Sequence, residues 1–89
     1  MQFSYDHENI YAMKHYSVIA KANFTTKDST MFINHVLVEE AYRGQGVAHQ
    51  LMLEIIKYSE NNNLLIKPIC KYAQMFFKHN SKYSYLLND

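Results

Sequence analysis

The sequence predicts a mixed α/β (α+β) fold, with antiparallel N-terminal strands followed by a β-α-β-α segment. Three observations predict it. Up to residue 38 the chain reads as strands, rich in β-branched and aromatic residues. After residue 45 apolar residues recur every three or four positions, the period of a helix. Both glycines of the chain, Gly44 and Gly46, stand together where the period changes.

The elements follow in order. Ile10, Tyr11 and Met13 form a short apolar stretch, and residues 17–25 form a second strand with Val18, Ala20, Ala22 and Phe24 on one face. The polar run Thr26-Lys27-Asp28-Ser29 reads as a hairpin connection. "TMFINHVLV", Thr30–Val38, is the most convincing strand. Val47, Ala48, Leu51, Met52, Ile55 and Ile56 then share one helical face, with His49, Gln50, Glu54 and Lys57 opposite. Asn61-Asn62-Asn63 ends that helix, because asparagine tolerates the left-handed conformation of a C-terminal cap. Residues 64–69 form a short apolar strand whose Pro68 would remove a ladder hydrogen bond, which suits an edge or a bulge. A crossover through residues 46–60 is long enough to make its flanking strands parallel neighbours. Residues 71–80 form a second amphipathic helix with Tyr72, Met75, Phe76 and His79 on one face, and "SKYSYLLND" is left unassigned.

Length and composition exclude several classes. The chain of 89 residues suits one domain, 1–89, and is short for two. A hydrophobic content of 48% argues against disorder. The formal charge of +1 lacks the concentrated basic face that nucleic-acid binding needs. Apolar runs such as Val36-Leu37-Val38 are far too short to span a membrane, and the start "MQFSYDHENI" lacks the features of a secretory signal, so a cytoplasmic location is expected. Cys70 is the single cysteine, which rules out an internal disulfide and a cysteine-based zinc cluster. His7, His15, His35, His49 and His79 never fall at a helical metal-binding spacing, and no metal is expected. Monomer and weak homodimer both remain open.

The two glycines frame the functional question. A strand ending at Val38 feeds the loop Arg43-Gly44-Gln45-Gly46, and a helix begins at once. The first N–H groups of a helix have no internal partner, and the helix dipole adds partial positive charge there. Glycines before that end let the backbone turn sharply and let a ligand approach without meeting a Cβ. These are the parts of a phosphate or pyrophosphate cradle, with Arg43 able to add a charge-assisted contact. A tight turn with no ligand needs the same residues, and spacing alone does not decide between the two. A P-loop would need Lys-Ser or Lys-Thr where Val47-Ala48 stands, and a dinucleotide fingerprint would need a small residue in place of His49.

The run Arg43-Gly44-Gln45-Gly46-Val47-Ala48 resembles the Arg/Gln-x-x-Gly-x-Gly/Ala signature of the GNAT superfamily of acetyl-CoA-dependent N-acetyltransferases. "INHVLVEEAYRGQGVAHQLM", "NNNLLIKPICKYAQMFFKHN" and "KYSYLL" together look like its short, single-domain branch, so the resemblance covers roughly residues 10–87. It implies a minimal GNAT-like fold and coenzyme A as co-substrate, with the pyrophosphate on the backbone amides of residues 43–48. It also implies that Val36, Leu37 and Val38 lend backbone hydrogen bonds to the pantetheine arm while residues 64–69 splay away. Longer members carry additional N-terminal helices and C-terminal strands around the acceptor. This chain is expected to lack them, which leaves the amine acceptor, small molecule or peptide, unidentified.

Cys70 and His35 match positions of that branch and are the candidate catalytic residues. Cys70 precedes a helix and is flanked by Lys71, so its thiol is placed to attack a thioester; a free cysteine also often merely fills space. His35 alternates with Met31, Ile33 and Leu37, which puts it on a largely apolar face, where a half-buried histidine and a general base are both reasonable readings. Glu39 and Glu40 are candidate proton relays. Tyr72, Phe76 and Phe77 are candidates to line the coenzyme channel, and Lys71, Lys78 and Lys82 to meet its adenosine phosphate. A non-catalytic module that binds coenzyme A and reports it to a protein partner is the alternative to an enzyme. A small interaction domain with purely structural glycines is the third reading.

Overall fold

The computed structural model describes residues 1–88. Its elements run β1 (Gln2–Tyr5), β2 (Asn9–Lys14), β3 (Ser17–Lys27), β4 (Thr30–Val38), α1 (Val47–Asn61), β5 (Leu65–Pro68) and α2 (Lys71–His79), with 3₁₀ turns at Glu40–Tyr42 and Ser81–Leu86. The strands lie side by side in chain order in a sheet of five. The first four pair antiparallel, and β5 joins β4 in parallel through the α1 crossover, as the sequence predicts. Strand β1 is not among the expected elements: Phe3 and Tyr5 do alternate with Gln2 and Ser4, but the run is only four residues long and mostly exposed at the sheet edge. Both central hairpins turn through two residues of positive φ, His15 and Tyr16 in one and Asp28 and Ser29 in the other. Such turns match the twist of the strands they join.

Two bulges decide which side chains face inward. Between β2 and β3, Ala12 pairs with Ala20 and Met13 with Val18, leaving Ile19 as the extra residue. Ile19 therefore enters the core and Val18 turns outward, correcting the expectation that Val18 shares a face with Ala20, Ala22 and Phe24. Between β3 and β4, Phe24 pairs with Ile33 and Asn23 with His35, so Asn34 is extra. Met31 and Ile33 are fully buried, but past Asn34 the alternation reverses. Val36 and Val38 pack against the core, while His35 and Leu37 are exposed on the opposite face. His35 is thus not on the apolar face that simple alternation predicts.

Both helices cover the same face of the sheet. Ile10, Ala22, Phe24, Met31, Ile33 and Ile66 of the strands meet Leu51, Met52, Ile55 and Ile56 of α1 and Ala73, Phe76 and Phe77 of α2. The α1 face is the expected one, and burying each of its large apolar side chains contributes about 1.5–3 kcal/mol. For α2 the buried stripe is Ala73, Phe76 and Phe77, turned by about one residue from the predicted one, so Tyr72 and Met75 are partly exposed. Asn63 is left-handed at φ +54°, and Leu64 N–H donates to Ser59 O at 2.8 Å, closing α1 as the asparagine run predicts. The unassigned tail packs on β5: Leu86 is buried, Leu87 bridges Ile66 and Asn88 N–H donates to Ile66 O. Among the described residues no helix is long and apolar enough to cross a membrane.

Candidate functional site

The site begins where β4 ends. Glu39 N–H donates to Ile19 O, the turn Glu40–Tyr42 follows, and Arg43 Nε reaches back to Val38 O at 3.0 Å. Gln45 Nε2 donates to Ala41 O at 3.2 Å. These bonds fold the loop on itself and commit much of the Arg43 and Gln45 side chains to it. Gly44 and Gly46 take φ of +77° and +80°, which L side chains rarely adopt, and a Cβ built on either meets nothing within 4 Å. Protein packing therefore does not require glycine here; the backbone conformation does, and the space beside it is open.

Gly46 is the N-cap of α1 with no side-chain capping bond, and the first helical bond runs from Gln50 N–H to Gly46 O. The N–H groups of Val47, Ala48 and His49 consequently have no partner within the helix. All three residues line a concavity of 260 Å³ together with Val38, Tyr42, Arg43, Gly44, Gly46 and Tyr72. Unpaired amides, the positive end of a 15-residue helix and an open glycine wall converge on one hollow. A second hollow of 470 Å³ shares Val38 and Arg43 with it and is lined also by Val18, Lys21, Leu37, Glu39 and Glu40.

Strands β4 and β5 part company beside this loop. Their pairing runs only from Thr30↔Leu65 to Ile33↔Pro68. At that point Ile33 O accepts from both Ile69 N–H at 3.0 Å and Cys70 N–H at 3.1 Å. Beyond it, among the described residues, none of β5 pairs with residues 34–38, so the edge of Val36, Leu37 and Val38 has no strand partner on that side, and Val38 O is met only by Arg43 Nε. Pro68 stands at the last paired position, where its missing N–H costs no further ladder bond. Cys70 is the N-cap of α2, half-buried, and its Sγ accepts from Ala73 N–H at 3.5 Å. Pairing thus brings the Cys70 amide to Ile33, but Cys70 packs against the core while the His35 side chain lies exposed on the opposite face of the sheet.

Other predicted residues are placed less directly. Tyr72 does reach the 260 Å³ concavity, and partial burial pushes its hydroxyl above the ordinary value. Phe76 and Phe77 do not line it. Phe76 is buried between His49 and Tyr83, whose rings lie 5.4 and 6.0 Å from its own, and it meets Phe77 edge-on. Lys71, Lys78 and Lys82 are exposed and line neither hollow, as Glu39 and Glu40 line only the second. Tyr42 and His49 also line the 260 Å³ hollow, though the sequence does not single out their side chains. His49 is exposed on the solvent side of α1, as expected, while its backbone amide, three residues past Gly46, belongs to the first turn. Lys14 is a further cation near the loop, with Nζ 5.8 Å from the Tyr42 ring centroid.

The profile of the family described as GCN5-related N-acetyl-transferase matches residues 2–86. No curated protein matches the chain by sequence. Among solved structures, a GCN5-like protein from Staphylococcus aureus is similar at a TM-score of 0.78 and 19% identity, over 98% of this chain and 87% of that one. The ribosomal-protein-S18-alanine N-acetyltransferase of Escherichia coli superposes at 0.71 with 13% identity, over 86% of this chain and 54% of its own. A GNAT acetyltransferase from Elizabethkingia anophelis with acetyl-CoA bound superposes at 0.68 with 18% identity, over 82% and 51%. The fold is shared with all three, and the chain spans about half the length of the last two.

Proposed function

The chain belongs to the GCN5-related N-acetyltransferase family, whose chemistry is acetyl transfer from acetyl-CoA to an amine, and on that premise we propose how these residues carry it out. The coenzyme pyrophosphate lies on the amides of Val47, Ala48 and His49, against Gly44 and Gly46, with the free guanidinium nitrogens of Arg43 beside it. The pantetheine arm pairs with the free edge of Val36, Leu37 and Val38, and the thioester reaches the gap between β4 and β5. The observation that carries this reading is the left-handed Gly46 cap, which leaves first-turn amides unpaired on an open hollow.

Two routes lead from the thioester. In the covalent route the Cys70 thiolate attacks the acetyl carbonyl carbon, the bond to the coenzyme sulfur breaks, and coenzyme A leaves as its thiolate. A neutral amine then attacks the acetyl-Cys70 carbonyl, a C–N bond forms, the bond to Sγ breaks, and the amine proton passes to a base. In the direct route the amine attacks the acetyl carbonyl of acetyl-CoA itself and a C–N bond forms. The bond to the coenzyme sulfur breaks so that coenzyme A leaves as its thiolate, and the amine proton passes to His35 or water. The exposed position of His35 suits a base in contact with an entering acceptor. The 470 Å³ hollow, which shares Val38 and Arg43 with the coenzyme site, is the approach we assign to that acceptor.

Titration of the labelled protein with acetyl-CoA, followed through backbone amide shifts, tests the reading. Saturable shifts centred on residues 45–49 are expected; their absence at about millimolar ligand, a Kd too weak to matter in a cell, would remove it. Mass spectrometry of the same sample then separates enzyme from coenzyme-binding module. An acetyl group carried on Cys70, or acetylation of an added amine, marks transfer. Binding with neither leaves the module acting through a protein partner.

A further inference from the structure

The uncovered face of the sheet carries a row of amides that ends at the bulge. Asn34 is the extra residue of β4, and its Nδ2 donates to Asn23 Oδ1 at 3.2 Å and to Thr25 Oγ1 at 2.9 Å. Asn23 Nδ2 donates in turn to Asn9 Oδ1 at 3.2 Å and to Glu8 O at 3.3 Å. The row crosses β2, β3 and β4, and on one side of its end lie His35 and on the other the Ile33 carbonyl that holds the Cys70 amide. A bulge residue lacks the ladder bonds that fix register, so a side chain anchored by two acceptors supplies what the backbone lost. A one-residue slip of β4 would exchange the facings of His35 and Val36.

We infer that Asn23, Asn34 and Thr25 are positioning residues for acetyl transfer: they lock the β4 bulge, and thereby the relative placement of His35, the free β4 edge and Cys70. The inference rests on the acetyltransferase reading for its activity readout but not for its structural one. None of these side chains touches a reacting atom. A hydrogen bond of this partly exposed kind shifts an equilibrium by roughly 2- to 10-fold, which is enough to change a geometry populated at each turnover without threatening the fold.

The test uses conservative pairs. Thr25→Val keeps shape and strand propensity but removes the acceptor, and Thr25→Ser keeps the acceptor. Asn23→Ala removes the row, and Asn23→Asp keeps an acceptor facing Asn34. Expected are a fall in kcat of roughly 5-fold in Thr25→Val and 10-fold in Asn23→Ala, with KM for acetyl-CoA and melting temperature little changed, and recovery in Thr25→Ser and Asn23→Asp. Unchanged kcat would overturn the inference. So would losses that follow melting temperature and do not recover in the conservative partners. Should the wild-type protein transfer no acetyl group, the acetyltransferase reading fails, and the inference is then read from the His35 and Cys70 amide shifts. Displacement in Asn23→Ala with return in Asn23→Asp supports it, and shifts that stay in place overturn it.

Discussion

The two helices begin in opposite ways. Helix α2 starts from an extended residue, Cys70 at φ −75° and ψ 152°, whose sulfur accepts the Ala73 N–H and whose own amide is bound to Ile33 O. Helix α1 starts from a left-handed glycine with no side-chain cap, beside a hollow. A helix end left without partners needs water or a ligand, and α1 is the longer helix, with the more open end. The difference teaches that one start carries a side-chain cap on part of its first turn, while the other leaves its whole first turn to be met from outside.

The largest effect is expected from closing the α1 start. Gly46→Asn tolerates the left-handed conformation and meets no protein atom, so stability should change by less than about 1 kcal/mol. Its side chain would occupy the hollow and offer an oxygen to the first-turn amides, so acetyl-CoA affinity should fall by at least roughly 10-fold. Isothermal titration beside thermal unfolding reads both. Affinity kept in a folded variant would make the two starts equivalent and break the comparison. At α2 the expected effect divides. Cys70→Ser keeps an acceptor at the cap while Cys70→Ala loses it, a stability difference of about 0.5–2 kcal/mol in favour of Ser. Neither retains a thiol, so both abolish turnover if the acetyl group passes through Cys70 and leave it nearly intact if transfer is direct. Steady-state rates with unfolding curves separate capping from chemistry.

The contrast was only half visible in the sequence. Gly44 and Gly46 at the period change announced the α1 start, because glycine signals positive φ more strongly than any other residue. The α2 cap was readable as a cysteine before a helix, but its link to Ile33 depends on parallel pairing that sequence does not register. His35 shows the limit most plainly. Strict alternation places it with Met31 and Ile33, and a single extra residue, Asn34, reverses it. Nothing local to "INHVLV" marks the bulge; its anchors, Asn23 and Thr25, lie on another strand. The α2 face turned for a related reason: Ala73, too small to weigh in a periodicity, centres the buried stripe, so Phe76 stays on it while Tyr72 and Met75 fall outside. Strand β1 offered only Phe3 and Tyr5 in alternation, too short a run to stand out, with one of its four residues half-buried.

The smallest effect sharpens the comparison by adding a turn whose amide is satisfied by a charge, which neither helix start has. Asp6 accepts from Glu8 N–H at 2.9 Å and from the Tyr11 hydroxyl at 2.8 Å, in the connection between β1 and β2. The Glu8 amide first, and the Tyr11 hydroxyl after it, hold its carboxyl below the ordinary 3.8. A group depressed in the folded state contributes stability that is complete above its unfolded value and is lost as pH falls through the folded one. Wild-type protein should therefore lose hydrogen-exchange protection in β1 as pH drops from about 5 toward 2, locally and before the core opens. Asp6→Asn keeps an acceptor for Glu8 but has no charge to lose, so β1 protection should stay flat across that acid range. Equal acid slopes in the two proteins would show that the Glu8 amide is held by geometry alone. An uncharged acceptor would then cap a turn here as well as a charged one, as the uncharged-acceptor reading of the Glu8 turn requires.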